Sequence, residues 1–150
     1  MSRPRANRAR ARARRRVLQA LYQWQLTGAA PAAIERQFLG EHRLGRMDLD
    51  YFSAVLRGVT ADPARLDAAF DSFLDRPARN LDPVELAILR LGTYELMERL
   101  EVPYRVCIDQ AVDLAHAFGA EQSHRYINGV LDRVGRAQPL RAAELAAGRR

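Results

Sequence analysis

A chain of 150 residues, 48% hydrophobic and 28% charged, has the composition of a soluble globular protein and the length of one domain, enough to bury roughly 70% of the surface its unfolded form exposes. No apolar run approaches the ~20 residues needed to span a bilayer, and the single Cys107 excludes an internal disulfide and fits a reducing cytosol. The net charge of +6 is unevenly placed: residues 1–34 hold eight arginines and no acid, whereas the rest of the chain holds 16 arginines against 18 acids. Charge concentrated in this way points to a binding surface rather than to general solubility.

The arginines open the chain. RANRARARARRR runs without a break into VLQALYQWQL, and the first question is whether the basic run is a tail, a targeting peptide or part of a helix. It has no apolar stretch of a secretory signal; a transit peptide stays open because those are Arg-rich and acid-poor, although the segment has one Ser and feeds directly into core sequence. Treated as helix, with Arg8 at the origin and ~100° per residue, Arg5, Arg8, Arg12, Arg15 and Arg16 form one polar stripe. Arg10 and Arg14 fall near the core side, at about 200° and 240°. Neither can be buried unpaired. The arm, residues 1–16, therefore projects past the core edge as helix or loses helical order before about Arg14. We take it as a helical extension that Arg10 and Arg14 hold clear of the core.

Helical periodicity dominates the rest of the chain, and strand signals are nearly absent. Val17, Leu18, Ala20, Leu21 and Trp24 make the apolar face of the first helix, ended by Gly28. A short second helix starts at Pro31 and pairs Ile34 with Phe38. Asp48 can cap a third, with Phe52, Val55, Leu56 and Val59 at i, i+3, i+4 and i+7. Asp62-Pro63 starts a fourth whose core face is Leu66, Ala69, Phe70, Phe73 and Leu74. Asp82-Pro83-Val84-Glu85 reads as a cap, a proline and an acid close to a capping box. The fifth helix is apolar nearly all round, with Leu86, Ile88, Leu89, Leu91, Leu96, Met97 and Leu100, and so is expected at the centre. A sixth after Pro103 carries Val106, Ala111, Val112, Ala115 and Phe118; a seventh, opened by Ser123, carries Ile127, Val130, Leu131 and Val134. The expected fold is all-α, about seven helices in two packed small bundles. One domain spans 1–135, with subdomains near 1–60 and 61–135, and 136–150 is expected as a flexible tail with one weak turn or two.

Catalytic and metal-binding patterns are missing: no phosphate loop, no G-x-S-x-G, no H-E-x-x-H and no cysteine pair. His42, His116 and His124 sit on different elements and read as surface or cap-associated side chains; Cys107 reads as a small core residue. No enzyme activity, metal or cofactor is expected. Eight like charges repel, and a polyanion relieves that repulsion. An inert solvated tail is the bland alternative. Anionic lipid fits less well, because the arm offers no bulky apolar wedge. Single-stranded RNA fits best: arginines for phosphate and an aromatic for stacking, with Tyr22 and Tyr126 off the core faces and Trp24 on one.

RARARRRVLQALYQWQL resembles the opening of the NusB family of transcription antitermination factors, whose pattern is roughly R-R-x-A-R-E-x-A-x-Q-x-L-Y. DYFSAVLRGV, LDPVELAILRLGTYEL, VPYRVCIDQAVDLAHAFG and SHRYINGVLDRV continue the resemblance in order over about residues 8 to 135. It implies an all-helical, non-enzymatic RNA-binding factor that, with the ribosomal protein NusE, recognises boxA in nascent ribosomal RNA and helps RNA polymerase resist termination. Other Nus factors and RNA polymerase are then indirect partners, the location is cytoplasmic, no membrane is involved, and a homodimer of the free protein is open. The resemblance places Arg10, Arg12, Arg14, Arg125 and Tyr126 toward RNA. With Arg8, Arg15, Arg16 and Gln122 they make up the candidate RNA surface, while Tyr22 and Glu85 are carried over to the NusE side. Arg15 stands where the family has Glu, Gln122 where an acid is usual, and Gln110 lies in a changed N-E-A triplet. The first two changes favour RNA affinity over discrimination, since phosphate attraction carries no sequence information. Two other functions stay open beside this one: an RNA-targeting module of a methyltransferase system, which the absence of ~200 residues of cofactor-binding domain disfavours, and a nonspecific basic RNA-binding protein.

Overall fold

The computed structural model describes residues 2–41 and 46–148. Among these, all regular structure is helical. The chain divides into two compact units, Met1–Ala61 and Asp62–Arg150.

The first unit is a three-helix assembly of α1 (Arg3–Thr27), α2 (Pro31–Glu41) and α3 (Leu49–Ala61). α1 begins where the Ser2 hydroxyl accepts the Arg5 amide at 3.3 Å, with Pro4 in the first turn. It stops at Gly28, whose φ of 69° only glycine adopts readily and whose amide donates to the Trp24 carbonyl at 2.9 Å. Val17, Leu18 and Leu21 of α1, Ile34 and Phe38 of α2, and Phe52, Val55, Leu56 and Val59 of α3 are all buried, as the 3.6-residue period dictates. Phe38 and Phe52 stack with centroids 6.1 Å apart. Arg57 grips the buried Glu35 carboxylate through two hydrogen bonds of 2.7 and 2.8 Å, tying α3 to α2, and that grip holds the Glu35 carboxyl below its ordinary range. Trp24, expected on the core face, is only half-buried.

The second unit contains α4 (Pro63–Asp71), a 3-10 turn at Ala78–Asn80, α5 (Pro83–Glu98), α6 (Tyr104–Phe118), α7 (Ser123–Arg136), a second 3-10 turn at Pro139–Arg141 and α8 (Ala142–Ala147). α5, α6 and α7 pack mutually, and α4 leans on α5 and α7. Both proline-led starts work as the sequence indicates: Asp62 accepts the Arg65 amide at 3.2 Å and Asp82 the Val84 amide at 2.7 Å. α5 lies against α7 so closely that a Cβ on Gly92 would fall 2.6 Å from Leu131 Cδ1. A bidentate pair from Arg90 to Asp67, at 2.7 and 2.8 Å, fastens α5 to α4. Leu100, Val106 and Phe118, expected in the core, are exposed; Leu100 follows the last turn of α5, and Val106 and Phe118 lie at the two ends of α6, where the neighbouring helices no longer cover them.

The segment expected as a tail is built in. Arg141 is 1% exposed, and its guanidinium donates to the carbonyls of Leu96, Val102, Glu95 and Arg99 at 2.8 to 3.2 Å. It also meets Glu144 Oε1 at 2.8 Å, and Glu144 Oε2 accepts the amide of Tyr104, the first residue of α6, at 2.6 Å. One arginine thus serves the Leu96 and Val102 carbonyls and adds a second donor to those of Glu95 and Arg99, which already accept the Arg99 and Val102 amides, while its ion-pair partner caps the start of α6. The chain from 136 onward is not a loose tail as far as Gly148, because its side chains complete two helix ends.

Candidate nucleic-acid interface

In the first unit the arginine arm is one continuous helix with the core helix. Arg8, Arg12 and Arg15 are exposed, and Arg16 is half-buried with Nη1 donating to Gln19 Oε1 at 2.9 Å. The first turn holds no acid, so helix dipole and side chains add positive charge at the same end. What offsets that repulsion is the opposite face. Arg10 and Arg14 do not hold the arm clear of the core; they dock it. Both guanidinium groups lie over the Tyr51 ring, 4.3 and 5.3 Å from its centroid. Arg10 Nε also comes within 3.8 Å of Asp48 Oδ2. The Asp48 amide donates to the Ala9 carbonyl at 3.1 Å, and Arg12 Nη1 to the Arg46 carbonyl at 3.3 Å. Arg14 is 4% exposed as a result and presents no surface for a ligand.

Asp48 carries three duties at once: it pairs with Arg10, holds α1 through its amide, and accepts the Tyr51 amide at 2.9 Å as the cap of α3. Asp48→Ala is expected to destabilise the first unit by about 1–2 kcal/mol, chiefly through the lost cap. Thermal melting checks this, and helicity near 222 nm should fall if the arm loosens with it.

Beside this contact a groove of about 540 Å³ is lined by Arg5, Arg8, Arg12 and Arg46, with Ala9 and Met47 along it and Asp48 as the one acid. Its four guanidinium groups suit a phosphodiester backbone. Arg46 has no signal in the sequence, since it lies outside every run of helical periodicity.

In the second unit the α6–α7 junction gathers the other candidates. Gln122 is exposed and holds a left-handed φ of 73° at the residue before α7. Arg125 is exposed in the first turn, and Tyr126 is half-buried with the Arg76 guanidinium 4.9 Å from its ring centre. The Asp75 amide donates to the Tyr126 hydroxyl at 3.3 Å. Ser123 is not a cap; its hydroxyl donates to Glu85 Oε2 at 3.0 Å, so Glu85 reaches across to α7 instead of closing a capping box on α5. Glu85, carried over to the protein-partner side, thereby sits beside the segment carried over to the RNA side. Tyr22 is exposed on α1 with the exposed Leu26 one turn on.

His116 and His124, in the last turn of α6 and the first of α7, stack with ring centroids 4.1 Å apart. Desolvation, then His116 and Arg125, pushes His124 below the ordinary histidine range, which favours its neutral form at pH 7. His42 lies outside the described residues. Among the described residues, no group of three or more His, Cys, Asp or Glu side chains could hold a metal ion, and Cys107 is buried.

An all-helical protein whose first helix shows a row of arginines outward has the surface expected of the class of helical polyanion-binding proteins. Relatives narrow the class. A family model described as NusB family matches residues 11–136. The transcription antitermination protein NusB of Halorhodospira halophila (strain DSM 244 / SL1) is 59% identical over 135 residues, which are 90% of this chain and 86% of that protein. A T. maritima NusB structure superposes with a TM-score of 0.79 at 26% identity, covering 96% of this chain and 99% of that one. A crystal structure of the antitermination factors NusB and NusE in complex with dsRNA superposes with a TM-score of 0.74 at 27% identity, covering 85% and 96%. The chain belongs to the NusB family, and the relatives it matches are transcription antitermination factors. Among the described residues no helix is long and apolar enough to cross a membrane.

Proposed function

We propose that the protein is a cytoplasmic transcription antitermination factor that, together with ribosomal protein NusE, binds boxA-type single-stranded RNA in nascent ribosomal transcripts and helps RNA polymerase read through terminators. The observation that carries this reading is the outward row of Arg8, Arg12 and Arg15 on α1, continued by the four-arginine groove at Arg46. These side chains track phosphates without reading sequence. In the second unit Arg125 and Tyr126 offer a cation and a ring to an unpaired nucleotide. Gln122, in place of an acid, leaves the approach to them less negative. Tyr22, with Leu26 a turn away, and Glu85 are assigned to NusE.

Sedimentation velocity tests the assembly. The free chain, its mixture with NusE, and that mixture with boxA RNA should give successively heavier species, the last with protein, NusE and RNA in equal number. A free protein that sediments as a homodimer and falls to monomer as NusE is added would show that the two partners share a surface. RNA bound equally with and without NusE would instead favour a nonspecific basic RNA-binding protein.

A further inference from the structure

We propose that Arg76 is a further RNA-contacting residue, its guanidinium held over the Tyr126 ring by Asp75, whose carboxylate occupies the edge that an RNA phosphate takes on binding. The inference rests on the proposed function, in which Tyr126 faces RNA.

Arg76 and Asp75 are sequence neighbours, so their bridge joins no two elements, and their side chains are 44% and 61% exposed. Exposed pairs of this kind contribute little to stability. By contrast, the Arg90 to Asp67 bridge joins two helices and is far less exposed. What the Asp75 carboxylate does is orient. Arg76 Nε donates to Oδ1 at 2.7 Å and Nη2 to Oδ2 at 3.2 Å, a two-point grip on one edge of the guanidinium. The same group lies 4.9 Å from the Tyr126 ring centre, which fixes its plane. The Asp75 amide on the Tyr126 hydroxyl keeps this loop against the first turn of α7.

A two-point carboxylate grip is the geometry in which arginine also takes a phosphate. Asp75 therefore fills a ready anion seat beside the aromatic. The competitor is charged at neutral pH as any exposed aspartate is, and Arg76 holds its carboxyl lower still. RNA must displace it, and the carboxylate it frees then gathers a counterion, cancelling one of those released by the nucleic acid. Asp75 in this way limits both affinity and salt dependence at the site.

The test is a double-mutant cycle read by fluorescence anisotropy of boxA RNA binding to the protein with NusE, over a salt series. Asp75→Asn is expected to raise affinity several-fold and steepen the salt slope by ~0.7, one phosphate contact. Arg76→Gln is expected to weaken binding and to abolish the gain from Asp75→Asn. A gain of equal size in the Arg76→Gln background would mean that any lost negative charge suffices, and would overturn the proposal, as would no gain at all. Melting temperatures of all four proteins should agree, since both positions are exposed; a merely structural role would move the melting temperature and leave the salt slope in place. If the arm variants weaken RNA binding while Asp75→Asn does nothing, the inference fails alone. If the wild-type protein with NusE binds no RNA, the functional reading fails and takes the inference with it.

Discussion

Arg141→Ala is expected to lower the stability of the second unit by about 2–4 kcal/mol, the cost of leaving buried carbonyls without a charged donor. The guanidinium supplies hydrogen bonds to four main-chain carbonyls at the end of α5 and the turn before α6. Alanine takes that donor from the Leu96 and Val102 carbonyls in a site where water has little access, while the Glu95 and Arg99 carbonyls keep the Arg99 and Val102 amides; it also leaves Glu144 without its ion-pair partner. Arg141→Lys should recover little, because a single ammonium cannot serve a fork of carbonyls spread over residues 95 to 102. Urea unfolding monitored by circular dichroism checks both variants, and the midpoint should fall without a change of slope. A loss under about 1 kcal/mol for Arg141→Ala would contradict the structural role given to the C-terminal segment.

Replacing Arg8, Arg12 and Arg15 together by alanine is the corresponding expectation for binding. Each lost phosphate contact removes ~0.7 from the salt slope on single-stranded RNA, so the triple variant should lose about 2 in slope and about 100-fold in affinity near 0.1 M salt, with the difference closing toward 1 M. Folding should suffer little, since the Arg12 hydrogen bond to the Arg46 carbonyl is exposed. Alanine is the best helix former, and the exchange removes like-charge repulsion at the i, i+4 spacing of Arg8 and Arg12. The melting temperature is expected to hold or rise while RNA affinity collapses, and filter binding over a salt series beside thermal melting measures both. Arg14→Ala should do the opposite. Its side chain is buried on Tyr51 and so is expected to lower stability with the salt slope unchanged.

Much of the fold is legible because it is local. The buried residues of α3 and α7 fall on the 3.6-residue period, and Asp62-Pro63 and Asp82-Pro83 announce helix starts through chemistry contained in a few residues. The exposed arginine row is legible for the same reason, since a wheel needs only spacing. Failures come where a side chain's partner is remote in sequence. Arg14 looks unburiable until Tyr51, 37 positions on, supplies a ring for it. Glu85 looks like half of a capping box until Ser123 claims it. Arg141 sits in an Ala-rich run with no apolar periodicity, so its burial follows from carbonyls 39 to 46 residues away that no local pattern reveals. The same holds for Arg46 and Arg76, each outside every run of helical periodicity.

The central claim is that this arginine-faced helical protein recognises boxA RNA with NusE and does more than gather polyanions. Its most direct test is the affinity of the protein with NusE for boxA RNA and for a scrambled sequence of equal length, titrated in one buffer near 0.15 M salt. Binding to boxA is expected to be tighter by at least about tenfold, a difference of ~1.4 kcal/mol, and the gap should narrow when NusE is left out. Equal affinity for the two RNAs, with NusE present and absent, would contradict that claim.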